Sequence, residues 1–73
     1  GRWAQALGPL TLAQALAPDS APHAHNLAVA LDQVRRYSEA LQMYRLAVQL
    51  GAGGLSMPAL ERRIGDLEEV LAR

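Results

Sequence analysis

Shifted by 34 residues against itself, the sequence lays Trp3 on Tyr37, Ala6 on Ala40, Leu7 on Leu41, Leu10 on Tyr44, Ala13 on Ala47 and Leu16 on Leu50. Between residues 3 and 18, five of 16 positions are identical, and the order of aromatic, small and large side chains is kept. Alanine and leucine supply 14 and 13 of the 73 residues, so the size pattern weighs more than the identities. A period of this length belongs to architectures in which one supersecondary unit stacks on the next, because a single unit cannot bury its own apolar face.

The chain is long enough for one small domain at most. At this size folding buries only roughly 60% of the surface that the unfolded chain exposes, so stability is marginal. There is no cysteine, hence no disulfide and no thiolate metal site. Packed apolar faces must carry the fold. Alanine and leucine are strong helix formers. All seven basic residues are arginine, which with the Ala and Leu bias reads as the habit of a GC-rich bacterial genome. Formal net charge is zero. The pairs Arg35-Arg36 and Arg62-Arg63 lie beside Asp32, Glu39, Glu61 and Asp66, as solvated helix charges rather than the basic stripe of a nucleic-acid binder. No uncharged apolar run approaches the roughly 18 residues of a membrane span, and no signal-peptide pattern is visible.

Helical periodicity is clearest after Pro18-Asp19-Ser20. Asp19 or Ser20 can cap a helix and Pro22 fits its first turn. Ala24, Leu27, Ala28 and Leu31 then fall on one face. After a break at Val34-Arg35-Arg36, a second helix from about Tyr37 to Leu50 carries Tyr37, Ala40, Leu41, Tyr44, Ala47 and Val48 on its apolar face. Gly51-Ala52-Gly53-Gly54 ends it with the left-handed cap that glycine allows. So short a turn makes the two helices an antiparallel hairpin. Ser56 and Pro58 open a last helix, with Met57, Leu60, Ile64, Leu67 and Leu71 on one face and Glu61, Arg62, Asp66 and Glu69 on the other. In the first segment Trp3, Ala6, Leu7, Leu10, Ala13 and Leu16 have helical spacing around Gly8-Pro9. An interior proline removes a hydrogen bond, so this helix is expected to be kinked or to start near Pro9.

Ala24-x2-Leu27-Ala28-x2-Leu31, followed by Ala40-x3-Tyr44 and Ala47, resembles the tetratricopeptide repeat, whose period is also 34 residues. The resemblance covers residues 21–54 as one repeat and residues 3–18 as the second helix of another, through Ala6-x3-Leu10 and Ala13. Ala24 departs from the family's large residue, Arg35 from its turn glycine and Ala52 from its proline. Ile64-Gly65 echoes the Leu-Gly pair, but Glu68 stands where an apolar residue belongs. The resemblance implies an all-α fold of about four helices, antiparallel hairpins of an α-solenoid. Residues 1–18 would form a partial N-terminal repeat, 19–54 one complete hairpin and 55–73 a C-terminal capping helix. Trp3, Ala6, Leu10, Ala13, Leu27, Ala28, Leu31, Tyr37, Ala40, Tyr44 and Ala47 would be the packing positions of the repeats.

Little in the chain suggests catalysis. His23-x-His25 is the one metal-like pair; residues two apart do not share a helix face, and zinc needs at least three protein ligands. We expect surface histidines at a helix start and no metal. Ser20, Ser38 and Ser56 sit where helices begin, as caps or first-turn residues. Glu68-Glu69 diverge on a helix, and Gly51-x-Gly53-Gly54 lacks both the strand and the lysine of a phosphate loop. No enzyme activity and no cofactor are expected.

Repeats of this family hold partners on the concave face lined by their first helices. The matching positions are Pro22, His25, Asn26, Val29, Asp32 and Gln33. Of the family's carboxylate-clamp residues only Asn26 has a match, so acidic C-terminal tails are not the expected ligand. The expectation is a module that binds another protein or peptide, with no nucleic acid and no membrane insertion. The alternative is a structural element of a larger bacterial pilus- or secretion-assembly protein, with a homodimer through the open N-terminal edge at Trp3 and Leu7.

Overall fold

A computed structural model describes residues 1–73, with Gly53 described by its backbone alone. Four helices follow one another: α1 (Arg2–Leu16), α2 (Ala21–Gln33), α3 (Tyr37–Gln49) and α4 (Met57–Ala72), with a short 3-10 turn at Ala52–Gly54. There is no strand among the described residues. Each α-helix packs mainly on its neighbours in the chain, α1 on α2, α2 on α3 and α3 on α4. The result is a flattened body of 32 × 29 × 15 Å. Such local packing leaves little loop-closure entropy to overcome in folding.

Local chemistry accounts for the boundaries. The Ser20 hydroxyl accepts the His23 N–H at 3.3 Å and starts α2, with Pro22 in the first turn. The Ser56 hydroxyl accepts the Ala59 N–H at 3.4 Å and starts α4, with Pro58 in its first turn. α2 ends where the Arg36 N–H donates to the Leu31 carbonyl and the Arg35 N–H to the Asp32 carbonyl. This pairing needs a left-handed residue after the cap. Arg35 takes it, at φ 66°, a conformation that crowds a Cβ. Gly51 supplies the same conformation after α3, at φ 87°.

α1 does not start near Pro9. It begins at Arg2 and continues through Pro9 to Leu16. Pro9 leaves the Gln5 carbonyl without its helical donor. Both residues are exposed, so water can serve that carbonyl.

The core lies between α2 and α3 and extends to α4. Ala24, Leu27, Ala28 and Leu31 meet Ala40, Leu41, Tyr44 and Ala47, and Ala52, Leu60 and Leu67 complete the cluster. Leu7, Leu10, Tyr37, Val48, Met57 and Ile64 pack against its margin. The expected packing positions thus divide. Leu27, Ala28, Leu31, Ala40, Tyr44 and Ala47 are buried, Tyr37 is half-buried, and in α1 Ala6, Leu10 and Ala13 are half-buried while Trp3 is exposed. α3 has a neighbour on each side, whereas α1 has α2 alone as a principal neighbour. On α4, Leu60 and Leu67 are buried as expected but Leu71 is exposed.

Ala40 is fully buried, at 0% exposure. Its smallness lets α2 and α3 approach. Ala40→Leu is expected to cost about 1–3 kcal/mol by overpacking, read as a lower midpoint in urea. An unchanged midpoint would show that α2 and α3 do not meet closely there.

Candidate functional site

One carboxylate ties three helices together. Asp32, in the last turn of α2, is 9% exposed. Arg63 of α4 grips it side-on, Nε donating to Oδ2 at 2.7 Å and Nη2 to Oδ1 at 2.6 Å. The Tyr44 hydroxyl of α3 donates to the same Oδ2 at 3.0 Å. Two-point arginine–carboxylate pairs hold orientation as well as charge. The Arg63 bonds hold the Asp32 carboxyl below its ordinary range, with the Tyr44 hydroxyl adding to the effect and burial opposing it. Burial, then the Asp32 charge and bond, push the Tyr44 phenol upward. The Asp32 bond raises Arg63, so its guanidinium stays charged.

Beside this network a cleft of about 310 Å³ opens between α2, α3 and the start of α4. His25, Tyr44, Leu55, Ser56, Ala59, Leu60 and Arg63 line it. The His25 ring meets Tyr44 edge-on, with centroids 6.1 Å apart and planes at 61°. Burial lowers the His25 pKa from its ordinary 6.5, so the ring is neutral at physiological pH. Aliphatic and aromatic groups make most of the wall, and the charged Arg63 is already paired with Asp32. Such a cleft suits an apolar side chain better than a free ion.

The expected partner-facing residues fall in different places. His25 reaches the cleft. Pro22, Asn26 and Gln33 are exposed on α2 outside it, and Val29 is half-buried against the core. Asp32 is engaged inside the protein, bonded to Arg63 and Tyr44. The histidines lie at the start of α2, more enclosed than expected: His23 and His25 are half-buried, and His23 Nδ1 is buried without a hydrogen-bond partner. Among the described residues no group of three or more His, Cys, Asp or Glu is placed to hold a metal.

The sequence reading missed the contribution of Leu55 to Arg63. A signal was present. Arg63 stands three residues after Leu60 and four before Leu67, on the apolar side of its helix. A charge there needs a buried partner of opposite sign. The pairs on the surface include Arg36 with Glu39 at 2.7 Å, Arg45 with Glu68 and Arg73 with Glu69 at 3.4 Å. Their exposure leaves them little weight in stability.

Two groups give the fold an acid dependence of one sign. The His25 pKa is depressed, so its contribution to stability is complete above about 6.5 and declines as pH falls toward the folded-state value. The Asp32 pKa is depressed too; its contribution is complete above the ordinary 3.8 and is lost as pH falls through the folded value. Thermal melts should therefore hold level near neutrality, fall below about pH 6.5 and fall again below about pH 4. His25→Gln removes the first decline; a first decline that persists in that variant would mean another group causes it.

Compared with known proteins, the chain matches no family model, no curated protein and no solved structure.

Proposed function

We propose that this chain is a protein-interaction module of tetratricopeptide-like construction, and that it takes an apolar side chain of a partner segment into the cleft between α2 and α4. The observation that carries the reading is the cleft itself: about 310 Å³, walled mainly by carbon, with His25 and Arg63 at its edges. Its size suits one anchor side chain, and anchors seated in fixed pockets supply most of the energy of protein interfaces. The Asp32–Arg63–Tyr44 network holds the α4 wall against α2 before a partner arrives, so less ordering entropy opposes binding. His25 joins the wall to the face of α2 on which the repeat resemblance puts ligands. The 34-residue self-similarity between α1 and α3 supports the repeat construction.

Ala59 is exposed at the mouth and can be enlarged without touching the core. The test is selection of a displayed random-peptide library on the whole chain, followed by binding of the enriched peptides to Ala59→Arg protein. Enriched peptides should share a single large apolar residue and lose at least about tenfold in affinity for the variant, equivalent to about 1.4 kcal/mol. Enriched peptides that bind both proteins equally would refute the cleft as the site.

A further inference from the structure

The 34-residue correspondence makes α1 and α3 controls for each other. The exposed positions of α3 are Ser38, Glu39, Gln42, Arg45 and Gln49. Their counterparts on α1 are Ala4, Gln5, Gly8, Thr11 and Ala15, also all exposed. Leu12 is 60% exposed and Leu16 77%, whereas the matching Leu46 and Leu50 are half-buried. Arg2 is the only charged side chain in the helix. A solvated helix face normally carries charge. The equivalent face of α3 does so, and that of α1 does not.

The exposed face of α1 is complementary to itself. Ala4, Gly8, Leu12 and Leu16 are spaced by four and form one ridge. When two such helices lie antiparallel about a two-fold axis through position 10, Leu16 faces Ala4 and Leu12 faces Gly8, in both directions. Large meets small at every step, which is the condition for a closed, isologous contact. The antiparallel arrangement also sets the two Arg2 charges at opposite ends.

Gly8 fits the same picture. Its φ is not in the positive range, and a Cβ there would meet nothing within 4 Å. Glycine weakens a helix interior relative to alanine, and nothing inside the single chain requires it at this position. Close approach of a second backbone would. Head-to-tail stacking on α4 is disfavoured. Apart from Val70 and Leu71, the large exposed residues of α4 include Glu61, Arg62, Asp66, Glu68 and Glu69, which would lose water against an uncharged face.

We propose that the Ala4–Gly8–Leu12–Leu16 ridge of α1 binds the same ridge of a second copy of this chain, antiparallel, as a weak homodimer. A helix of 15 residues is about 22 Å long. Contact along one such helix buries less than the roughly 1,200 Å² of a stable complex, so association is transient. The surface lies apart from the cleft, none of whose lining residues is on α1.

The test is sedimentation equilibrium of the whole chain from low micromolar to millimolar concentration. The average mass should rise from 7.8 kDa toward twice that value. Leu12→Asp and Gly8→Leu should each weaken the association at least about tenfold. Both positions are exposed, so the helical circular-dichroism spectrum of each variant should match the parent. Because the chain has no cysteine, register can be read directly. An equimolar mixture of Gly8→Cys and Leu12→Cys chains, oxidised at millimolar concentration, should give the mixed disulfide in preference to either homodisulfide. A mass that stays monomeric throughout would overturn the proposal and leave this face to a different partner. Association that survives both variants, or homodisulfides in excess, would overturn it as well.

Discussion

Leu67→Ala should lower stability by about 2–5 kcal/mol, the range for buried leucine truncations that leave a cavity. At 1% exposure Leu67 is the largest side chain in the protein to be essentially fully buried. With Leu60 it is one of only two buried residues of α4. In a domain of this size each kcal/mol moves Tm by about 4–8 °C, so a fall of at least about 10 °C is expected. Since small domains are marginally stable, the variant should also lose α4 locally. Amide exchange would then accelerate over residues 57–72 before it does in α2 and α3. Leu71→Ala is the control: the side chain is 46% exposed, and its loss should fall within about 0.5 kcal/mol. Equal effects of the two substitutions would mean that α4 is not docked through Leu67.

Asp32→Ala should cost about 2–3 kcal/mol, for a different reason. It removes the acceptor of two charged hydrogen bonds from Arg63 and one from the buried Tyr44 hydroxyl. Bonds to charged groups contribute about 1.5–3 kcal/mol, and an orphaned buried donor adds its desolvation cost. Tyr44→Phe keeps the ring and the Asp32–Arg63 pair, and should cost about 1 kcal/mol. Arg63→Ala leaves Asp32 with a single donor, so the carboxyl should titrate at higher pH than in the parent. The double variant Asp32→Ala/Arg63→Ala should be more stable than the sum of the singles predicts, because each single strands the other's charge. Additive losses would show that the two side chains do not act as a pair. The same substitutions should loosen the cleft, since Arg63 is both its wall and the link to α2.

The parts of this fold set by local chemistry were legible in the sequence. Ser20 and Ser56 cap the helices they precede, and Gly51 turns the chain after α3. Ala28, Ala40 and Ala47 stand where the helices approach, as their size requires. Pro9 does not mark the helix start, because its lost hydrogen bond falls on an exposed face where water can replace it. The site was harder. Helical periodicity puts His25 and Asp32 on α2 without saying what α4 brings to them. A reading by faces therefore treats Asp32 as available to a partner. Only the packing of α3 on α4 brings Arg63 to that carboxylate, across 31 residues of sequence. The clue was a single arginine among the apolar positions of α4, and it acquires meaning once its partner is known.

The central claim is that a partner segment docks between α2 and α4. Amide chemical-shift mapping, with a library-selected peptide added to the isotopically labelled chain, tests it most directly. The account predicts the largest shifts at His25, Tyr44, Ala59, Leu60 and Arg63, with residues 2–16 little changed. Shifts concentrated on α1, with the cleft residues unmoved, would contradict it.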